Sequence, residues 1–224
     1  MSQQLYKLIQ EGEHQRQDFK YCISDSKKIA RSLVAFANTD GGRLLIGVKD
    51  NGNIAGVRSD EEYYMVEAAA KIYSEPPVHF TTRQWLAEGK TVLEIIVEPS
   101  NEKPHKARDE EGRWLAYIRK GDQNLLAHKI QLAVWKKQKS GKGIRFTYSA
   151  DEKFLVDYLN SNPSISFSKY IRLAHISRQK AEEILSNFVV LDLLFLDTTT
   201  EGTFFSLNRN FDSHELEKFK KYPL

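Results

Sequence analysis

Cys22 is the only cysteine, which excludes an intrachain disulfide and a cysteine-ligated zinc site. No apolar run approaches the ~18 residues that a membrane-spanning helix needs. The opening stretch MSQQLYKLIQEGEHQRQDFK also lacks the apolar core of a secretory signal. These absences predict a cytoplasmic protein with no membrane partner. Internal repeats and low-complexity segments are missing too. So is the phosphate-cradling Gly-x-x-x-x-Gly-Lys-Ser/Thr loop: Gly89-Lys90-Thr91 has no earlier glycine, and Gly141-Lys142 is followed by Gly143. ATP is therefore not expected as a cofactor. Excess charge of one sign is small, at +3 over 224 residues. That is too little to argue for nucleic acid by itself.

What is present is an ordinary globular composition, 41% hydrophobic and 28% charged, long enough for one large domain or two small ones. Residues 3–12 suit a short helix, with Leu5, Leu8 and Ile9 on one face. Residues 16–22 read as a strand. Ser24 or Asp25 can cap a helix running to Asn38, with Ile29, Ala30, Leu33, Val34, Phe36 and Ala37 inward. Gly41 and Gly42 end it. Strands follow at 43–48 and 54–57 around the turn Asp50-Asn51-Gly52-Asn53. A helix over 60–74 stops at Pro76 and Pro77. Strands are expected at 78–85, 91–98 and 114–119, then a helix over 125–137.

After residue 138 the pattern changes. Residues 139–147 read as a linker. Helices over 151–160, 167–173 and 177–190 precede two strands, 193–197 and 203–207, around Thr198-Thr199-Thr200-Glu201-Gly202. Three helices and a hairpin in about 60 residues is the winged helix-turn-helix order. The expected class is thus α+β: an α/β domain over 1–138, the linker, a small winged helix over 148–207 and a polar tail over 208–224.

Charge is divided unevenly across these boundaries. Residues 1–147 hold 24 basic and 19 acidic side chains, whereas 148–207 hold five and eight. The basic density is therefore assigned to the first domain and linker. Lys129, Lys136, Lys137, Lys139, Lys142 and Arg145 form one acid-free cluster, and Lys103, His105, Lys106 and Arg108 another. Neutralising phosphates with such groups releases counterions. On the helix at 177–190, Arg178, Gln179 and Lys180 face outward near the start, where Arg and Gln can pair with guanine and adenine edges. Glu182, Glu183 and the negative sum over 148–207 oppose that contact.

One block is specific. Glu13-His14-Gln15-Arg16-Gln17-Asp18-Phe19-Lys20 is followed by Ala35-Phe36-Ala37-Asn38-Thr39-Asp40-Gly41-Gly42, then by Ile46-Gly47-Val48-Lys49-Asp50, and later by Tyr117-Ile118-Arg119-Lys120-Gly121. This pattern resembles the Schlafen-type AlbA domain, also called AlbA_2 or divergent AAA-4, over roughly 11–135. The resemblance implies a nucleic-acid partner and, in nuclease members, two acids in the first block and one after the glycine strand that bind a divalent metal and cut RNA. The matching positions are Glu13, Asp18 and Asp50, with Mg²⁺ or Mn²⁺ as the metal and Lys20 placed to stabilise developing phosphorane charge. Asp18 departs from the usual Glu. Residues 13 and 18 also face opposite sides of a regular strand, so the pair converges only if the chain bends between them.

The reading that follows is a nucleic-acid-binding protein: a homodimeric DNA-binding transcriptional regulator, with DNA favoured over RNA. Its contacts would come from Lys103, Lys106, Arg108, Arg119, Lys136, Lys137, Arg178, Gln179 and Lys180. Two other readings stand beside it: a three-carboxylate metal-dependent ribonuclease, and a scaffold or ligand-sensing module.

Overall fold

The computed structural model describes residues 2–144 and 148–208, in a mixed α and β chain that divides into two units between Ala127 and His128. No described helix is long and apolar enough to cross a membrane. The expected tail over 208–224 falls, apart from Asn208, outside the described residues, as does Arg145.

The first unit is built on a four-stranded sheet. Its strands are β1 (Gln17–Lys20), β2 (Gly42–Ile46), β4 (Thr81–Ala87) and β5 (Lys90–Val97), in the order β1-β2-β5-β4. β1 pairs parallel with β2 and the other pairs are antiparallel. Side chains alternate across such a sheet. Leu44 and Ile46 accordingly enter the core under helix α2 (Ser26–Asn38), while Leu45 enters a second core with Leu5 and Leu8 of α1 (Ser2–Glu11). The sheet is covered on both faces. The remaining elements are α3 (Glu61–Lys71), a small sheet of β3 (Ser74–Glu75), β6 (Lys106–Arg108) and β7 (Trp114–Leu115), and the hairpin of β8 (Tyr117–Lys120) and β9 (Gln123–Leu126).

The Ala-Phe-Ala-Asn-Thr-x-Gly-Gly block closes α2 and anchors the neighbouring loops. Asp25 caps the helix start by accepting from Lys27 N–H at 2.8 Å. At the exit Gly41 takes φ +72 and its N–H donates to Phe36 O at 3.0 Å. A Cβ on Gly42 would lie 2.4 Å from the Phe36 ring, so no larger residue fits there. Asn38 is buried; its amide donates to His105 O and Tyr117 O at 2.8 and 2.9 Å and its Oδ1 accepts from His105 N–H at 2.8 Å.

The second unit contains α4 (Lys129–Ser140), α5 (Ala150–Ser161), β10 (Ile165–Ser166), α6 (Phe167–Ala174), α7 (Arg178–Val190), β11 (Leu194–Thr199) and β12 (Gly202–Leu207). Its strands form an antiparallel sheet, β10-β12-β11. Ser149 and Glu152 make a capping box at α5, and Ser166 and Ser177 cap α6 and α7. One core joins Leu155, Leu159, Tyr170, Leu185, Phe188 and Phe205 to Ile130 and Val134 of α4.

Three sequence expectations change here. The segment 54–57 is not a strand; Ile54 makes a single bridge to Val48. Residues 123–126 form β9 where a helix start was expected, because the Gly121 turn returns the chain along β8. Most consequentially, α4 was assigned to the first domain, yet its apolar face belongs to the second unit's core.

Candidate functional sites

The carboxylate site of the first unit rests on a tight bend. His14 and Gln17 exchange two backbone hydrogen bonds, at 3.0 and 3.1 Å, which folds residue 13 back beside β1. Glu13 Oε1 then accepts from Phe19 N–H at 2.8 Å, and its carboxyl also meets that of Asp18. Burial of its carboxyl end and, next, the hydrogen bond with Asp18 push the Glu13 pKa up from its ordinary value. The bend that the spacing demanded is thus present.

The third carboxylate does not join the pair. Asp50 lies exposed in the turn over 49–53, and among the described residues no group of three or more His, Cys, Asp or Glu side chains could hold a metal ion. The expected Glu13, Asp18 and Asp50 metal set is therefore corrected to a two-carboxyl cluster. Cations already answer it: Lys20 Nζ stands 2.8 Å from Asp18 Oδ2, and Arg119 Nη2 3.8 Å from Asp18 Oδ1. Ser32 Oγ reaches Asp18 Oδ2 at 3.4 Å and is itself held by Asn124 at 2.9 Å. These residues do not suit Mg²⁺ or Mn²⁺, which would have to displace an ammonium and find further oxygens. Lys20, expected to act on a phosphate, is instead the partner of Asp18. Ser32 and Asn124 were missed by sequence reasoning; the one signal was a serine within the apolar face of α2.

Arg119 was expected to touch nucleic acid, and this is also corrected. It is 2% exposed. Its guanidinium donates to Gln17 O at 3.0 Å, His14 O at 3.3 Å and Asn124 Oδ1 at 3.0 Å, and lies 5.1 Å from the Phe36 ring centroid. It clamps the bend that places Glu13. Lys103 is likewise turned inward, donating to Thr39 O at 3.3 Å near the end of α2, and burial lowers its pKa. Lys106 is half-buried in β6, and Arg108 is exposed.

The second place of interest is the α4–α7 face of the second unit. Arg178, Gln179 and Lys180 are all exposed in the first turn of α7. Lys180 pairs with Asp151 of α5 at 2.8 Å. The acids that opposed anion binding have cationic neighbours: Lys129 lies 3.1 Å from Glu182, and Lys137 donates to Glu183 O at 3.4 Å. Lys137 also donates to Ser186 Oγ and Asn187 Oδ1, both at 2.6 Å, and burial lowers its pKa. Its ammonium is thus spent inside the unit, contrary to the expected phosphate contact. Lys136, Lys139 and Lys142 are exposed.

The charge assignment reverses with the boundary. Residues 1–127 hold 18 basic and 19 acidic side chains, net −1, while 128–208 hold 11 and eight, net +3. The basic density belongs to the second unit.

The first unit defines a class: a two-faced sheet with a carboxyl-rich bend, closed by the Asn-Thr-x-Gly-Gly helix exit. The Schlafen AlbA_2 family profile matches residues 13–128, just over half the chain, and the chain belongs to that family. Two solved structures are similar. One is the DIP2311 protein from Corynebacterium diphtheriae, with 19% identity and a TM-score of 0.42, the match covering 64% of this chain and 34% of that one. The other is the N-terminal domain of a RecG-related protein from Nitrosomonas europaea, with 18% identity and a TM-score of 0.37, covering 65% of this chain and 95% of that one. No curated protein matches at a significant level.

Proposed function

We propose that this chain is a nucleic-acid-binding protein, a transcriptional regulator that contacts duplex DNA through its second unit. In this reading α5, α6, α7 and the β11–β12 hairpin form a winged helix, and α7 is its recognition helix. The observation that carries it is the position of α4. By packing on α7, α4 brings a lysine-rich segment into the same unit, sets Lys129 against Glu182 and leaves Arg178 and Gln179 open at the helix start. Arg178 and Gln179 then read base edges, while Lys136, Lys139 and Lys142 meet phosphates. A homodimer on a two-fold site belongs to the same proposal.

Mobility-shift assays on duplex DNA, single-stranded RNA and tRNA, each with Mn²⁺ or EDTA, test it. Duplex DNA is expected to shift without being cut, more weakly as salt rises. Arg178→Ala with Gln179→Ala should weaken the shift about 10- to 100-fold, from ~1–3 kcal/mol per good base contact. Equal affinity in this variant, or no shift of duplex by the wild type, refutes the assignment.

A further inference from the structure

A cleft of about 550 Å³ in the first unit takes no part in the sites above. Tyr6 of α1, Tyr21 just after β1, Lys49, Glu88 and Lys90 contribute to its walls. Its volume lies in the ~300–1,000 Å³ range of small-molecule sites. Tyr6 and Tyr21 are 38% and 43% exposed, unusual for large rings with no apolar neighbour to cover them.

Cations gather on Tyr21. Lys49 Nζ lies 5.5 Å from its ring centroid, and the Arg58 guanidinium lies 5.8 Å from it while Nη2 donates to the phenol oxygen at 3.1 Å. Lys90 Nζ donates to Ile54 O at 2.9 Å, which fixes a third ammonium at the cleft wall. The one carboxylate in the lining is occupied, since Glu88 Oε1 accepts from the Tyr6 hydroxyl at 3.0 Å. The first unit as a whole carries net −1, so this basic grouping does not follow from its composition.

We propose that this cleft binds a nucleotide, with the phosphate held by Lys49 and Arg58 and the base laid against the tyrosine rings. Oriented cations supply charge-assisted hydrogen bonds to the phosphate. Aromatic rings accept any base that is not already stacked in a duplex. The nucleotide is either free or one residue of a single strand. This site goes beyond the duplex contact proposed for α7 and uses none of its residues.

Fluorescence anisotropy of the intact chain with labelled pentathymidylate tests it, with unlabelled thymidine monophosphate and inorganic phosphate as competitors. The wild type should bind the oligonucleotide. Tyr21→Ala and Lys49→Glu should each weaken binding about tenfold or more, as when a stacking ring or phosphate partner is removed. Arg178→Ala should leave it unchanged. Displacement by the mononucleotide identifies a free-nucleotide site; displacement only by longer strands identifies a strand site. Lys49→Glu and Arg58→Glu alter exposed side chains, so their unchanged melting temperatures would separate lost binding from lost folding. The proposal is overturned if the wild type binds neither probe, if both charge reversals bind normally, if inorganic phosphate competes as well as the mononucleotide, or if Arg178→Ala abolishes the signal.

Discussion

Arg119 shows how much one side chain can organise. Its guanidinium holds two carbonyls of the 14–17 bend, an amide of β9 and the carboxylate of Asp18, all out of water. Removing one partner of such a buried charge network leaves the others unpaired, which costs ~3–5 kcal/mol. Arg119→Ala is therefore expected to lower stability by about that amount, a large share of a typical ~5–15 kcal/mol total. Arg119→Lys keeps the charge but loses the planar fork, and should fall between the two. Urea midpoints measure this, and a loss below ~1 kcal/mol for the alanine variant would show that the clamp is dispensable. The arginine was visible in the sequence as part of Tyr-x-Arg-x-Gly. Its inward direction was not, because nothing in a strand pattern says that a cation's partners lie on a bend about a hundred residues earlier.

At the scale of elements, the helices with caps were the legible part. Asp25, Ser149, Ser166 and Ser177 all stand where a side-chain oxygen meets a free helix N–H, and apolar spacing marked the buried faces of α2 and α7. Strands were blurred at their ends, since a buried run such as Leu-Leu-Ile carries no period-two signal. The role of α4 was illegible for a different reason. Periodicity shows that Ile130 and Val134 face inward but cannot say into which core. Its placement has a direct consequence. Ile130 is 0% and Val134 3% exposed. Burying each is worth ~1.5–3 kcal/mol. A chain beginning at residue 148 should therefore be less stable by ~3–6 kcal/mol than one beginning at residue 128. Denaturant melts of the two fragments decide it, and equal stability would return α4 to the role of a linker helix.

For the molecule as a whole, two buried histidines, one in each unit, set the acid limit of stability. Burial lowers the pKa of both His105 and His128 below the ordinary 6.5. His105 is held between Pro76 O at 2.8 Å and Ser100 Oγ at 2.7 Å. The carbonyl takes the Nδ1 proton, so the neutral ring suits both contacts. His128 Nδ1 accepts from Ile130 N–H at the start of α4, which only an unprotonated nitrogen can do. A proton there would remove the cap and set a cation against the positive end of the helix. The sign follows from linkage. Below pH 6.5 the unfolded chain takes up protons that the folded chain refuses, so the stability from both groups is complete above 6.5 and is lost as pH falls through the window beneath it. Denaturant midpoints measured from pH 8 to 5 should decline on the acid side. His128→Asn caps without titrating, and should flatten the decline in the second unit while leaving that of the first. The contrast with the wild type isolates His128 from Glu13, whose raised pKa acts oppositely by favouring the folded state as it gains its proton. Superimposable pH profiles for wild type and His128→Asn would show that the cap does not titrate with folding.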